Sequence, residues 1–352
     1  MADPLRPDAA RHVITSIDIH GLRGIREGKL EGLTPLVVLV GPNGSGKSTI
    51  LDAMLIGASR RPASSAGYAV KRRSGMRHGA RWLLYRGGDA PGRIRLGFAD
   101  GAYRERELTW SDSNFLLPDK RALLAQRGFE GPYSAIHVRT EPVAAMFPHV
   151  CVFAADNEHE ANDAHEAQTD GPTAWLADPR HGRPLHDLYS RLTEHGRRAA
   201  LFELVQPLIP GLRVIEILTE HGDARLNLTF DDRSVPVVLA GDGIQALIRL
   251  GLELSTRQEG VVLLEEPEAH QHPAGIWSSA SAIAAGVRSG LQIVLTTHSM
   301  ELVDALLDVL LEDELDLLTV YRLKLDAGRL ASSRFPGPDV LHARGEIETD
   351  LR

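Results

Sequence analysis

Leu36-Val37-Val38-Leu39-Val40-Gly41-Pro42-Asn43-Gly44-Ser45-Gly46-Lys47-Ser48-Thr49 is the stretch whose reading decides the fold. Its apolar run reads as a strand covered on both faces. Gly41 to Ser48 then fits the spacing G-x-x-x-x-G-K-[ST] without a gap. Ile50, Leu51, Met54, Leu55 and Ile56 follow at helical spacing, so the order is strand, glycine-rich loop, helix. Such an order aims backbone N–H groups and the positive end of a helix dipole at one place, which suits phosphate. Gly41, Pro42, Asn43, Gly44, Ser45, Gly46, Lys47, Ser48 and Thr49 are therefore candidate nucleotide-binding residues. Lys47 is predicted to reach β- and γ-phosphate oxygens, and Ser48 to place its hydroxyl on Mg²⁺.

Upstream, residues 13–19 read as a further strand. Downstream, basic residues dominate from Arg60 to Arg106, and Asp100-Gly101 marks a hairpin between 93–98 and 102–108. Residues 111–190 lose clear periodicity, and 156–170 have the composition of a solvated loop or surface helix. A second hairpin is predicted from 213–218 and 224–230 across His221-Gly222-Asp223. Beyond Val235–Leu239, the pattern predicts a helix over 244–254, a buried strand at 261–264, a helix over 275–287, a buried strand at 293–295 and a helix over 300–311. Strands alternating with helices imply a parallel sheet. The tail 317–334 reads as β-structure, and the remainder as peripheral.

Glu265 and Glu266 end the strand Val261–Leu264, and in a parallel sheet the carboxyl ends of strands gather where ligands bind. By position, Glu265 is assigned to the metal and Glu266 to orienting or deprotonating an attacking water. Glu268 is a third acid beside them. Ile293 to Thr297 leads into His298, which emerges near the γ-phosphate as a sensor if the two strands are neighbours. Ala269-His270-Gln271-His272-Pro273 suggests metal ligation by histidine spacing, but the missing further ligands favour a turn and helix start.

Length and composition agree with this picture. The 352 residues are 43% hydrophobic and 24% charged, enough apolar material for a large core without disulfides or metals. Thirty-nine Lys+Arg against 47 Asp+Glu give a net charge of -8, which excludes an overall basic nucleic-acid coat. Cys151 is the single cysteine, read as a buried small apolar residue of a reducing compartment. Residues 1–11 lack the pattern of a secretory leader, and no apolar run reaches about 18 residues, so a soluble cytoplasmic protein with no membrane partner is expected.

Taken together, Ile17-Asp18-Ile19-His20-Gly21-Leu22-Arg23-Gly24-Ile25, the phosphate loop, Leu264 to Pro273 and Thr296-Thr297-His298-Ser299 resemble the soluble ABC-type ATPases with RecF-, SMC- and OLD-like members, often called AAA-family ATPases. The resemblance implies an α/β fold, a P-loop NTPase head of ABC-ATPase type with a mostly parallel sheet and an inserted lobe. The resemblance implies that residues 1–59 form the N-terminal part of the head. A β-hairpin and helical lobe is expected at 60–235, the C-terminal part of the head at 236–334 and a peripheral tail at 335–352. The resemblance also places Gly241, Asp242 and Gly243 at the signature motif that contacts a γ-phosphate bound by a second subunit; a plain turn before a helix is the other reading. Gly241 stands where serine is usual.

ATP and Mg²⁺ are the implied ligands, and an ATP-sandwiched homodimer or higher oligomer the implied assembly. The TOPRIM nuclease pattern of some OLD-like relatives does not fit after His298, so effector chemistry would come from a separate protein. DNA is a candidate partner through Arg60, Arg61, Lys71, Arg72, Arg73, Arg77 and Arg81, although a solvated charged loop explains these residues equally well. The functional expectation is an ATPase switch in DNA maintenance or defence against foreign DNA. Its alternatives are a nucleotide-binding scaffold for a nuclease or toxin, and a transporter nucleotide-binding subunit. The transporter reading is disfavoured by the long interval between loop and signature and by Glu265 in place of aspartate.

Overall fold

The structure is a computed structural model that describes residues 13–72, 79–112, 126, 134–141, 149–153, 159–162, 173–177 and 183–345. The first strands are β1 (Ile14–Leu22), β2 (Ile25–Glu31) and β3 (Leu36–Val40). They lead through the phosphate loop into α1 (Lys47–Ala58) and then α2 (Pro62–Lys71). Next come β4 (Gly92–Phe98), β5 (Tyr103–Asp112), β6 (Ser134–Glu141), β7 (His149–Phe153), β8 (His159–Asn162) and β9 (Ala174–Ala177). Two helices, α3 (Leu185–Glu194) and α4 (Arg198–Val205), precede β10 (Val214–Glu220), β11 (Asp223–Thr229) and β12 (Ser234–Pro236). The chain then alternates: α5 (Asp242–Ser255), β13 (Val261–Glu265), α6 (Pro273–Arg288), β14 (Gln292–Thr296), α7 (Met300–Val309). It closes on β15 (Leu318–Asp326), β16 (Arg329–Pro336) and α8 (Gly337–Gly345).

Among the described residues, 13 strands form one sheet in the order β8-β7-β6-β5-β4-β1-β2-β16-β15-β3-β14-β13-β9. The part β15-β3-β14-β13-β9 is parallel throughout. The arm from β8 to β2 is antiparallel, so the sheet is mixed rather than mostly parallel as expected, and the strand that leads into the phosphate loop lies in its parallel portion. All five residues of β3 are buried, as a strand with helices on both faces requires. Gln292 stitches the two halves: its side-chain amide donates to the Ile14 and Thr34 carbonyls, and its oxygen accepts from the Ile14 N–H.

One core lies on the α1 side of the sheet, where Val37 and Leu39 meet Ile50, Met54, Ile94 and Leu96. The other lies beneath α6 and α7, where Val38 and Val40 meet Ile283 and Leu302. A third, smaller core joins α3, α4, β10 and β11 to α5 through Leu247, Ile248 and Leu252. Residues 60–235, expected as one inserted lobe, are thus divided. The segments α2 and β4–β7 extend the main core and sheet, β9 pairs with β13, and only the later part makes the smaller core.

Strand β8 falls inside the segment read as a solvated loop. Backbone pairing with β7 holds it and needs no apolar stripe. The rest of 156–170 lies outside the described residues, as do Arg73, Arg77 and residues 1–11. Past residue 335 the chain is not wholly peripheral, because Val340 on α8 is fully buried in the second core. Cys151 is buried, as read. No helix among the described residues is long and apolar enough to cross a membrane.

Candidate functional site

The phosphate loop joins the carboxyl end of β3 to α1, which begins at Lys47. Gly46 caps that helix with φ 97°, a left-handed conformation that side chains with a Cβ adopt only under strain. The N–H groups of the first helical turn have no intrahelical acceptor and face the loop opening. Gly41, Ser45 and Lys47 are buried, Gly46, Ser48 and Thr49 half-buried, and Pro42, Asn43 and Gly44 exposed. Lys47 Nζ donates to the carbonyls of Gly41 at 2.7 Å and Pro42 at 3.2 Å, which folds the ammonium over the loop. Burial lowers the Lys47 pKa, and Glu266, Glu265 and Glu268 oppose that shift. Ser45 Oγ is buried without a hydrogen-bond partner.

Strand β14 lies between β3 and β13 in the parallel half, so the ends of all three strands meet at one edge. Glu266 sits just past β13 with φ 47°, a strained position for a residue with a Cβ. Its N–H donates to Thr296 O at 3.0 Å, which locks the turn onto β14. The Glu266 carboxylate is exposed, and His298 Nε2 approaches it to 3.6 Å. The two strands are neighbours, the condition under which the sequence reading brings the two residues together.

Glu268, named only as a third acid, has a structural task that no sequence pattern announces. Its Oε1 accepts from Thr297 Oγ1 at 2.5 Å and from the His298 N–H at 3.2 Å. It ties the turn after β13 to the loop that carries His298. Burial raises the Glu268 pKa, and the hydrogen bond from Thr297 opposes that shift.

The half-buried Glu265 carboxylate receives Arg72 Nη1 at 2.5 Å. Arg72, counted in the sequence among surface cations, is instead buried against Asp52 of α1, so it does not belong to a polyanion surface. Arg60, Arg61, Lys71 and Arg81 are exposed. Arg81 approaches Asp89 at 3.4 Å and lies over the Trp110 ring.

His272 caps α6, its Nδ1 accepting from the Ala274 N–H, which is the turn-and-helix-start reading. Among the described residues no group of three or more His, Cys, Asp or Glu is arranged to hold a metal by itself. Ser48 and Glu265 are hard oxygen donors at the rim of the phosphate cradle, a pair that suits Mg²⁺ completed by phosphate oxygens and water.

Gly241 is the N-cap of α5, and Gly241 and Asp242 are exposed. Gly243 is closed in: a Cβ there would stand 2.8 Å from the His270 carbonyl oxygen. The N-terminus of α5 thus rests on the turn that follows the carboxylates. Just before it, Val238 and Leu239 are 64% and 72% exposed. Beside the phosphate loop, a cavity of about 740 Å³ is bounded by Gly41, Pro42 and His298 on one side and by Arg322, Lys324 and Ser333 on the other. Its cationic wall on β15 was not legible as a site, because alternating Arg and Lys on a strand read as an ordinary solvated face.

A P-loop strand beside a histidine strand, with a carboxylate strand next beyond it in the same parallel sheet, defines a nucleotide-binding head. An AAA-domain family model matches residues 16–116. A second, described as "AAA domain, putative AbiEii toxin, Type IV TA system", matches residues 155–304. The chain resembles an SmcHead structure bound to the C-winged helix domain of ScpA, with TM-score 0.53 and 13% identity over 92% of this chain and 98% of that one. It also resembles the Smc head domain with an extended coiled coil bound to the C-terminal domain of ScpA, from Pyrococcus furiosus, with TM-score 0.54 and 12% identity over 96% and 99%. Uncharacterized protein MJECL11 of Methanocaldococcus jannaschii is 28% identical over 113 residues, 32% of this chain and 98% of that protein. Two AAA-domain models thus match separate parts of the chain, and its fold is that of the Smc head domains.

Proposed function

We propose that the protein binds Mg²⁺–ATP at the phosphate loop, hydrolyses it, and uses ATP-dependent dimerisation as a switch in DNA maintenance or defence against foreign DNA. The observation that carries the hydrolytic reading is the convergence of Glu266 and His298, 3.6 Å apart, at the same sheet edge as Lys47. Lys47 and the N–H groups at the start of α1 would hold the β- and γ-phosphates. Glu266, exposed and strained, would orient a water and take its proton as the water oxygen bonds to the γ-phosphorus and the bond to ADP breaks. His298 would donate a hydrogen bond to the γ-phosphoryl oxygens, its backbone N–H anchored by Glu268. Mg²⁺, held by Ser48 and Glu265, would supply charge neutralisation at the phosphate oxygens.

The exposed Gly241–Asp242 terminus and the apolar Val238 and Leu239 beside it support a dimer in which α5 meets the partner's nucleotide. A scaffold that regulates a separate protein is the second reading. It is favoured by the toxin–antitoxin description of the matching domain and by the ScpA-bound state of the similar heads.

The deciding experiment measures ATP turnover with Mg²⁺, alone and with double-stranded DNA, while molar mass is followed for wild type and Glu266→Gln. DNA stimulation with an ATP-dependent mass doubling supports the DNA-coupled switch. Turnover indifferent to DNA, with the dimer still forming, supports the partner-regulated reading. Absence of both nucleotide binding and turnover overturns the proposal.

A further inference from the structure

Arg72 lies at the end of α2, outside every nucleotide motif, yet its guanidinium bridges two of the elements that build the site. Its Nε and Nη2 lie 2.8 and 2.6 Å from Asp52 Oδ1, and its Nη1 lies 2.5 Å from Glu265 Oε2. Asp52 stands four residues after Ser48 on α1, one helical turn below it on the same face. Arg23, between β1 and β2, closes on the other Asp52 oxygen at 2.9 Å. The Asp52 and Arg72 side chains are 0% and 4% exposed, so little water screens this bridge. An arginine guanidinium stays charged throughout the working pH range, and its planar fork fixes direction as well as charge.

We propose that Arg72 is a positioning residue for the metal-binding carboxylate. It fixes Glu265 relative to the helix face that carries Ser48, and it is the counter-cation with which Mg²⁺ shares that carboxylate. The inference rests on the reading of Ser48 and Glu265 as the metal pair. Two consequences follow from one guanidinium. Its charge weakens the pull of Glu265 on a second cation, and its fork holds Glu265 in the orientation that hydrolysis needs. Removing Arg72 should therefore tighten the response to Mg²⁺ while slowing turnover, a combination that loss of folding does not produce.

The test uses the full chain and a fluorescent ATP analogue whose binding is titrated with Mg²⁺, with ATP turnover measured in parallel. For Arg72→Gln the Mg²⁺ concentration giving half-maximal analogue binding should fall about threefold or more, and kcat at saturating Mg²⁺ should fall about tenfold with KM for ATP little changed. Arg72→Lys keeps the charge and loses the fork, so it should retain the wild-type Mg²⁺ response and still lose kcat. Because Arg72→Gln leaves Asp52 short of one buried partner, the double variant Asp52→Asn/Arg72→Gln removes both charges and should show the same fall in half-saturating Mg²⁺. Folded variants with wild-type Mg²⁺ profiles and wild-type kcat overturn the inference. A wild-type chain that does not bind the analogue overturns the nucleotide reading itself.

Discussion

Replacing Asp52 by Asn removes one charge from the buried bridge while keeping side-chain shape and an acceptor oxygen. Arg72 would keep one hydrogen bond and lose its buried counter-charge, and Arg23 Nε, 2.9 Å from Asp52 Oδ2, would face an amide donor. Truncating one partner of a buried pair costs about 3–5 kcal/mol. The retained acceptor puts Asp52→Asn near the lower end, about 3 kcal/mol, against a total stability of about 5–15 kcal/mol. With about 2.1 cal/mol/K of unfolding entropy per residue, each kcal/mol shifts Tm by about 1.4 °C in a chain of 352 residues, so Tm should fall about 4 °C. Urea unfolding followed by circular dichroism, read as Cm at constant m, measures the loss directly. Arg72→Met completes a double-mutant cycle with Asp52→Asn, in which the pair should show a coupling of about 1–3 kcal/mol. A loss below about 1 kcal/mol, or two single effects that simply add, would refute the claim that this bridge ties α2 to the phosphate-loop helix.

Lys47→Ala removes charge-assisted contacts to phosphate and should weaken ATP binding about 100-fold, ~2.7 kcal/mol, by fluorescence titration. In contrast, Glu266→Gln should keep ATP affinity within about threefold, lose about 10²–10⁴ in turnover and accumulate as an ATP-bound dimer in light scattering; equal loss of affinity in both variants would contradict the role of Glu266. Gly243→Ala places a methyl 2.8 Å from the His270 carbonyl and should displace the start of α5, abolishing ATP-dependent dimerisation while monomer ATP affinity persists; an unchanged mass doubling would remove α5 from the interface. Glu268→Gln tests a pH linkage. Burial raises the Glu268 pKa in the folded state above 4.5, so the native protein holds this proton to higher pH than the unfolded chain. Wild-type stability is then lost as pH rises through the raised pKa. The variant should melt higher than wild type near about pH 7.5, and the gap should close toward about pH 4.5; a gap independent of pH would contradict the linkage.

Local chemistry made much of the fold legible. The run Leu36–Val40 is apolar on both faces, which suits a strand between two helical layers, and α1, α5, α6 and α7 appear where apolar residues recur at helical spacing. Both hairpins form at their glycine-containing turns. Strand β2 escaped because Gly28 and alternating charges hide its edge-on pairing with β1, and β9 because four residues carry too little periodicity. The candidate residues Lys47, Glu266 and His298 were legible because each ends a buried strand or begins a helix, where a polar residue after an apolar run stands out.

By itself, the sequence determined the strand–loop–helix of the phosphate cradle, the order of the elements from α5 to α7 and the identity of the groups at their ends, because short-range sterics, periodicity and spacing act within a few residues. Tertiary structure alone decided the rest. It placed β14 between β3 and β13, brought His298 to Glu266, assigned Glu268 to Thr297 and the His298 N–H, and buried Arg72 between Asp52 and Glu265. Asp52 and Glu265 are more than two hundred residues apart in the chain, and an arginine in a basic stretch carries no local mark of burial. Only a folded sheet, where long-range packing fixes which charges are removed from water, pairs them.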